Sequence, residues 1–305
     1  MTAPATTSSA FRQVRGLEGL TWPGFGASGA DVMVTTRHGG VSAGSYATLN
    51  LSLNVGDVAA DVLENRRRAA AALGADPGDF VFCEQVHGSA ARVVTAADRG
   101  RGARTPDDAV PGADALATAD PGIVLAVLAA DCVPVVLYDP VCHVVACAHA
   151  GWRGTVARAA ASAVAAMQSL GTRPADVIAG VGPAIAPDRY EVGPEVAEAA
   201  MRAFGDSAGA VLRAISRDGQ GAPAAPGAPQ ATEAAEGTRR WLFDLRAANR
   251  LVLRQAGVPD SQIHVTDAAT GPGTGPGGGL FFSHRAERPC GRFAALARLN
   301  PRAAR

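Results

Sequence analysis

Short apolar runs alternate along this chain with segments of helical periodicity, and this alternation constrains the fold more than any other feature. The runs Ile123–Ala129, Val133–Tyr138 and Val177–Gly182 are rich in Val, Ile and Leu and are followed by small or polar residues, as is typical of buried strands. The segments Val58–Leu73 and Asp244–Ala256 instead place apolar residues at helical spacing. We therefore predict an α/β (α+β) fold in which helices are layered on a sheet core.

Two of the predicted helices carry specific expectations. In the helix Val58–Leu73, the charged side chains of Glu64 and of the run Arg66–Arg68 are expected to face solvent. A second, Ala-rich helix is predicted over about Thr155–Leu170, with Thr155 as its N-cap.

The chain is predicted to consist of a tail, one domain and an insertion. Residues 1–20 begin with a Ser/Thr/Ala-rich stretch and are predicted to form a flexible N-terminal tail. Residues 21–300 are predicted to form a single catalytic domain. Within it, residues 217–237 are rich in Ala, Pro, Gly and Gln and have too few apolar residues to join a core, so we expect a disordered surface insertion.

Composition excludes several functional classes. The formal net charge is +0, so no electrostatic argument favours a nucleic acid or a membrane surface as partner. The sequence shows no signal-peptide pattern and no apolar run long enough to span a membrane, and its five cysteines are irregularly spaced. These features predict a cytoplasmic protein. No obligate protein partner is evident from the sequence. The sequence contains no Lys, so a bound phosphate must be held by Arg, His or backbone N–H groups.

Three clusters place a Cys or a His beside small residues at the ends of strand-like runs. They are Glu84-Gln85-Val86-His87-Gly88, Ala130-Asp131-Cys132-Val133-Pro134 and His149-Ala150-Gly151-Trp152-Arg153-Gly154. Together His87, Cys132 and His149 offer two imidazoles and one thiolate, a donor set that binds zinc with one coordination position left open. Their spacing is not that of a zinc finger, so the pattern alone leaves ordinary buried residues as the alternative. His143 and Cys147 share a strand face with His149 and are rival ligands.

These clusters belong to a longer ordered series of motifs. The others are Thr35-Thr36-Arg37-His38-Gly39-Gly40-Val41-Ser42, Thr48-Leu49-Asn50-Leu51, Gly112-Ala113-Asp114-Ala115, Gly182-Pro183-Ala184-Ile185, Tyr190-Glu191-Val192, Phe243-Asp244-Leu245 and Phe281-Phe282-Ser283-His284-Arg285. Over about residues 30–298, the series resembles the YfiH-like family, long described as a multicopper polyphenol oxidase / laccase domain and later assigned as purine nucleoside phosphorylase. The resemblance implies a mixed β-sheet core and a YfiH-like, CNF-like cysteine-hydrolase type fold.

The resemblance also implies a chemistry for the site. It implies zinc bound by His87, Cys132 and His149, phosphorolysis of adenosine, inosine, guanosine and 5′-methylthioadenosine, and deamination of adenosine. Asp131 is a candidate for proton transfer, with a structural turn residue as the alternative.

Four further residues of the motifs are candidates for binding the purine nucleoside and inorganic phosphate. Arg37, Arg153 and Arg285 are the motif arginines that can pair with phosphate. Asn50 is a candidate hydrogen-bond partner of the sugar or the base.

Other functional classes remain open at this stage. A metal-free pair of Cys132 with His87 or His149 would act as a Cys/His hydrolase or amidase. For such an activity, the resemblance to the YfiH-like family implies peptidoglycan precursors as substrates. Copper is disfavoured relative to zinc, because one Cys and two His cannot supply the several centres that a multicopper oxidase needs. A partner-binding protein without enzymatic activity fits the sequence only if His87, Cys132 and His149 are buried with no access from solvent.

Overall fold

The computed structural model describes residues 9–26, 29–215, 239–273 and 276–301. Its strands are β1 (Ala10–Val14), β2 (Leu17–Thr21), β3 (Ala30–Thr35), β4 (Phe80–Phe82), β5 (Ala91–Val93), β6 (Ala115–Thr118), β7 (Val124–Ala129), β8 (Val133–Asp139), β9 (Val144–Ala150), β10 (Ile178–Val181), β11 (Glu191–Val192), β12 (Leu212–Ile215), β13 (Arg240–Phe243), β14 (Ile263–Val265) and β15 (Phe293–Leu299). Its helices are α1 (Ala59–Ala72), α2 (Trp152–Val156), α3 (Ala159–Gln168), α4 (Pro194–Phe204) and α5 (Leu245–Gln255). Within these ranges, none of the helices combines the length and the apolar character needed to span a bilayer.

The strands form two large mixed sheets. The first has the order β1-β2-β3-β15-β7-β4 and the second the order β14-β10-β8-β9-β6-β5. Most neighbouring strands are antiparallel, but β4 with β7, β10 with β14 and β5 with β6 run parallel. A small sheet of order β11-β13-β12 lies beside them. The predicted mixed α/β fold is therefore confirmed.

The apolar core lies in three layers separated by the two large sheets. The central layer joins residues of both sheets, such as Leu125 and Phe293 of the first and Val136 of the second. The outer face of the second sheet packs against α3, α4 and α5. The outer face of the first sheet packs against α1. Strands buried on both faces read as nearly continuous apolar runs, which is why the pattern around Cys132 is so uniformly apolar.

The prediction of a flexible tail over residues 1–20 is wrong for the part that the structure describes. Strands β1 and β2 form a hairpin that extends the first sheet through pairing of β2 with β3. Arg15 and Gly16, at the turn, have φ of 47° and 91°, the backbone that suits a two-residue hairpin. Leu20 is fully buried. Its burial against distant strands stabilises the hairpin, and the local composition gave no sign of it.

Helix α1 confirms the predicted helix, but one of its charged residues lies inside the protein. Arg66 is only 3% exposed. Its Nε donates to the carbonyl oxygen of Leu51 at 2.9 Å, its Nη1 donates to the carbonyl oxygens of Gly102 and Ala103 at 2.6 and 2.9 Å, and its guanidinium lies 4.0 Å above the ring of Phe82. The expectation that the whole run Arg66–Arg68 faces solvent is therefore wrong for Arg66, because loop carbonyls compensate for its burial.

The Ala-rich helix predicted over about Thr155–Leu170 is interrupted. It forms the short helix α2 and the longer helix α3, and Arg158 between them has a left-handed φ of 66°. Gly151, not Thr155, is the N-cap of α2. The predicted insertion at residues 217–237 lies outside the described residues.

Candidate functional site

Two loops and the end of one strand carry the predicted metal-binding residues. His87 lies in the loop after β4 and has a φ of 59°. The same loop is fixed to β7 by Gln85, whose Nε2 donates to the carbonyl oxygen of Leu128 at 2.7 Å and whose Oε1 accepts from its N–H at 2.8 Å. This two-sided clamp imitates a strand pairing, so it holds the loop at the sheet edge.

The other two residues lie before and after β8 in the chain. Cys132 lies in the tight turn that joins β7 to β8, next to Asp131 with a φ of 89°. His149 is in β9, paired with Pro134 of β8. One ligand atom from each of His87, Cys132 and His149 lies within 4.8 Å of the other two. The structure thus brings together the three residues selected from the sequence, in an arrangement that can hold a metal ion.

A buried carboxylate fixes two of these residues. Asp114 is fully buried, and its Oδ1 lies 2.9 Å from Nδ1 of His149. It also accepts hydrogen bonds from the backbone N–H groups of His87 at 3.0 Å and Gly88 at 2.7 Å. An imidazole that donates its Nδ1 proton to a carboxylate keeps Nε2 free to bind a metal. Asp114 therefore sets the tautomer of His149 and the position of the His87 loop.

The electrostatics of the three residues favour an ionised thiol. Burial acts to raise the pKa of Cys132, but the charge of His149 and hydrogen bonds from His149 and His87 outweigh it and lower this pKa to about 6. Burial also acts to lower the pKa of His149, yet Cys132 and Asp114 raise this pKa to about 9. Asp114 keeps a lowered pKa because the bonds from His149 and from two backbone N–H groups outweigh its burial. The charges of Cys132 and His149 thus stabilise each other, which lowers the pKa of the thiol and raises that of the imidazole.

Because Gly151 has no side chain, there is room beside it for the side chains of Cys132 and His87. A Cβ at this position would lie 2.9 Å from Sγ of Cys132 and 3.1 Å from Cδ2 of His87. Its φ of −69° is ordinary for any residue. Glycine is therefore required here by close approach and not by backbone conformation.

A cavity of about 390 Å³ opens onto His87, Cys132 and His149. This volume falls in the range of roughly 300–1,000 Å³ that is typical of sites for small molecules. Its other polar and charged lining residues are Ser52, Asn54, Arg66, Glu84, Gln85, His284 and Arg292. The three residues are thus accessible from a concave, polar site.

Asp131 ties the Cys132 turn to the segment after β14. Its Oδ1 accepts from the hydroxyls of Thr270 at 2.5 Å and Ser283 at 2.7 Å, and its Oδ2 accepts from the backbone N–H of Arg285 at 2.6 Å. These bonds satisfy the carboxylate within the protein and fix the turn that carries Cys132.

The structure does not support Asn50 as a substrate contact. The residue is fully buried, and its Nδ2 donates to the carbonyl oxygen of Ser52 and to Oδ2 of Asp57 at 3.1 and 2.9 Å. Its Oδ1 accepts from the backbone N–H groups of Ser52 at 3.0 Å and Arg292 at 2.9 Å. All the hydrogen-bonding capacity of the amide is used inside the protein, so we remove Asn50 from the predicted substrate contacts.

The three predicted phosphate arginines do not line the cavity. Arg37 is paired with Glu287 at 3.2 Å, and its guanidinium lies over the ring of Phe282 at 4.5 Å. In Arg153 the side chain is 60% exposed and lies 3.7 Å from the carboxylate of Glu195.

Arg285 instead lies over the ring of an aromatic residue. Its guanidinium lies 5.2 Å from the ring centroid of Tyr190. Burial, followed by the charge of Cys132, raises the pKa of Tyr190 to about 12, with Arg285 and Arg153 acting in the opposite direction. The hydroxyl of Tyr190 is therefore protonated at neutral pH and lies in the field of the site.

The rival ligands lie elsewhere. His143 contacts the hydroxyl of Tyr138 at 3.3 Å and the carbonyl oxygen of Asn300 at 2.9 Å. Cys147 is fully buried in the layer between the sheets, and burial raises its thiol pKa above the ordinary range. Strand alternation places His149 and Cys147 on one face, but only the end of β9 reaches the site.

Three residues of the site were not selected from the sequence: Asp114, His284 and Arg292. Asp114 and His284 both stand in motifs of the series described above, but neither is marked by local pattern as a site residue. Arg292 follows the segment Arg288-Pro289-Cys290-Gly291, which carries no recognisable motif. Only proximity in the fold identifies them.

Comparison with known proteins places the chain in a family. A protein of Geobacillus stearothermophilus named purine nucleoside phosphorylase YlmD is 38% identical over 271 residues, which cover 88% of this chain and 90% of that protein. A protein of an unknown prokaryotic organism named adenosine deaminase RL5 is 38% identical over 235 residues, which cover 77% of this chain and 82% of that protein. The crystal structure of YlmD from G. stearothermophilus matches with a TM-score of 0.78 at 36% identity, over 96% of this chain and 100% of that chain. Residues 31–300 match the family described as multi-copper polyphenol oxidoreductase laccase. The resemblance to the YfiH-like family is thus confirmed, and the chain belongs to the multi-copper polyphenol oxidoreductase laccase family.

Proposed function

We propose that this protein is a zinc-dependent purine nucleoside phosphorylase that also deaminates adenosine. The proposed substrates are adenosine, inosine, guanosine and 5′-methylthioadenosine, with inorganic phosphate as co-substrate. The observation that carries the proposal is the convergence of His87, Cys132 and His149 at the wall of a cavity of about 390 Å³. The relatives named purine nucleoside phosphorylase and adenosine deaminase support both activities.

The residues present fit zinc. Two imidazoles and one thiolate form a donor set of the kind found in catalytic zinc sites, where a fourth position stays open. Asp114 holds His149 with Nε2 free, as carboxylates commonly do in such sites, and Cys132 is already biased toward the thiolate by its neighbours. When bound, zinc would supply Lewis acidity, which lowers the pKa of water and polarises a bound group.

The protein's own residues account for the remaining requirements of the reactions. In phosphorolysis, an oxygen of hydrogen phosphate forms a bond to the anomeric carbon as the bond from that carbon to the purine nitrogen breaks, and the proton of hydrogen phosphate ends on the purine. Because the chain contains no Lys, the phosphate is oriented by Arg, His or backbone N–H groups, of which Arg offers a bidentate, charge-assisted contact. In deamination, water replaces the amino group of adenosine, which leaves as ammonia. The concave cavity holds the nucleoside and restricts bulk water.

A second candidate function has one observation in its favour. Cys132, His149 and Asp114 are arranged as thiol, imidazole and orienting carboxylate, which is the arrangement of a cysteine hydrolase. The same arrangement is also what a metal site with an oriented histidine requires, so geometry alone favours neither. The names of the relatives favour the phosphorylase. Metal content distinguishes the two, because a thiol hydrolase works without zinc.

The test combines metal analysis with product analysis. We expect protein prepared without added metal to contain about one zinc per chain, and Cys132→Ala to lose most of it, since three ligands are needed to retain the ion. The matched control, Cys147→Ala, should keep its zinc because Cys147 lies in the core. Full zinc in Cys132→Ala with loss in Cys147→Ala would contradict the ligand assignment.

Products from adenosine with and without phosphate separate the two activities. We expect adenine and ribose 1-phosphate only when phosphate is present, and inosine in both conditions. Neither product from zinc-replete protein would refute the proposed function.

A further inference from the structure

The cavity contains a cation that the motifs did not point to. Two arginines line it, Arg66 and Arg292. Three of the hydrogen bonds of Arg66 go to backbone carbonyl oxygens of the surrounding loops, and its guanidinium is stacked on Phe82. Arg66 is thus committed to the fold, which leaves Arg292 as the arginine to consider for a ligand.

One nitrogen of the Arg292 guanidinium is hydrogen-bonded within the protein, and the other two are available to bind a ligand. Its Nη1 donates to the carbonyl oxygens of Cys290 and Gly291 at 2.9 and 3.0 Å, and its backbone N–H donates to Oδ1 of Asn50 at 2.9 Å. Among the described residues, Nε and Nη2 of Arg292 have no hydrogen-bond partner. A guanidinium anchored in this way is pre-organised, so less conformational entropy is lost when it binds an anion.

His284 adds a second hydrogen-bond donor to the lining of this cavity. It lines the same cavity and is exposed. Partial burial, and then the charges of Arg292 and Arg288, lower its pKa, while the charge of Asp131 acts in the opposite direction. A neutral imidazole can donate one N–H to an anion without charge repulsion from Arg292.

We propose that Arg292 and His284 form the subsite for inorganic phosphate in this cavity. The inference rests on the proposed phosphorolysis and assigns the co-substrate to residues other than Arg37, Arg153 and Arg285, which do not line the cavity. The two free donors of Arg292 match two oxygens of phosphate, as is usual for arginine and oxyanions.

The acidic side chain in the cavity wall restricts where phosphate can bind. Glu84 also lines the cavity, and its Oε2 accepts from the backbone N–H of Gly112 at 2.8 Å. The negative charge of Glu84 repels an anion, so phosphate is expected to bind at the donors of Arg292 and His284 and away from Glu84.

Asn50 contributes to this subsite indirectly. Its own hydrogen bonds are all made within the protein, and one of them holds the backbone of Arg292 in position.

The test measures the dependence of inosine cleavage on phosphate. In Arg292→Gln we expect the KM for phosphate to rise at least tenfold, because a bidentate charge-assisted contact is lost, while the KM for inosine changes less than threefold and zinc content is unchanged. Arg292→Lys should recover part of the affinity, since it keeps the charge without the planar fork. His284→Ala should raise the KM for phosphate at least threefold. Arg202→Gln is the matched control: Arg202 is 72% exposed on α4 and should leave both constants unchanged.

A measurement without turnover makes the subsite testable independently of the reaction. Inorganic phosphate should raise the melting temperature of the zinc-loaded wild-type protein and of Arg202→Gln, but not that of Arg292→Gln. Wild-type KM values for phosphate in both Arg292→Gln and His284→Ala would overturn the subsite and leave the phosphorylase intact. Absence of phosphate-dependent products in the wild type would refute the proposed function, and absence of phosphate stabilisation as well would overturn the subsite.

Discussion

Gly151→Ala provides the sharpest test of how tightly the site is built. The added Cβ would lie 2.9 Å from Sγ of Cys132 and 3.1 Å from Cδ2 of His87. Non-bonded heavy atoms prefer separations of about 3.5–4.0 Å, so Sγ of Cys132 would have to move by roughly 0.6–1.1 Å relative to the new methyl group. Metal–ligand distances tolerate only about 0.2 Å. The loop of His87 is fixed to β7 by Gln85, and the turn of Cys132 is fixed by the hydrogen bonds of Asp131. The substitution must therefore distort the metal site.

The expected loss of affinity follows from this displacement. Changes that disturb the orientation of ligands typically cost about 10–100-fold in metal affinity, which corresponds to about 1.4–2.8 kcal/mol. We expect Gly151→Ala to bind Zn²⁺ weaker by this factor in competition with a chelator of known affinity. The backbone itself accepts alanine, since φ at Gly151 is −69°, so the metal-free protein should still fold.

A second N-cap glycine provides the matched control. Gly193 is the N-cap of α4, has a φ of −85°, and would place a Cβ with nothing within 4 Å. Gly193→Ala therefore carries the same capping cost as Gly151→Ala without the steric contact. Zn²⁺ affinity of Gly151→Ala within twofold of Gly193→Ala would refute the reasoning, because it would show that the turns adjust at no cost.

Three further predictions test the supports of the site and the fold. Asp114→Asn should weaken Zn²⁺ binding by about 10–100-fold, because the carboxylate that holds Nδ1 of His149 is lost; unchanged affinity in the chelator competition would contradict this. Arg66→Met should lower the free energy of unfolding by about 3 kcal/mol or more, since three buried carbonyl oxygens lose a charged donor. The control Arg67→Met, on the exposed side of α1, should change the free energy of unfolding by less than about 0.5 kcal/mol. Urea denaturation of both variants measures the difference, and equal effects would refute the burial argument. Replacing residues 217–237 with a short Gly/Ser connector should leave the melting temperature and turnover nearly unchanged, because β12 and β13 are paired antiparallel and their ends lie close together. A variant that does not fold would refute the single-domain prediction. A variant that melts normally but has no turnover would show that the segment is needed for activity.

Several elements were predictable because their signal is local. The helix α1 and the strands β7 to β9 follow from periodicity and apolar runs that any window of the sequence reveals. The hairpin of β1 and β2 was not predictable from local sequence, because it is stabilised by long-range pairing of β2 with β3. The interruption between α2 and α3 was also missed, since an Ala-rich sequence gives no sign of the left-handed backbone at Arg158.

The sequence by itself determined the donor set. His87, Cys132 and His149 could be selected because each is a soft ligand beside small residues at the end of a strand-like run, and because the motif series around them resembles one family. Such chemistry depends on residue type and on local strand ends, and both are properties of the sequence.

Tertiary structure alone decided what surrounds the donor set. Asp114 contacts His149 across 35 residues, and Arg66 is buried by loops on either side of it in the sequence. Arg292 and His87, far apart in the sequence, line the same cavity. A charged residue in a sequence has the same pattern whether it is solvated, buried or part of a site. Only the packing of distant segments determines which carbonyls, carboxylates and cavities it meets, because burial and hydrogen bonding are set by contacts between residues far apart in the chain.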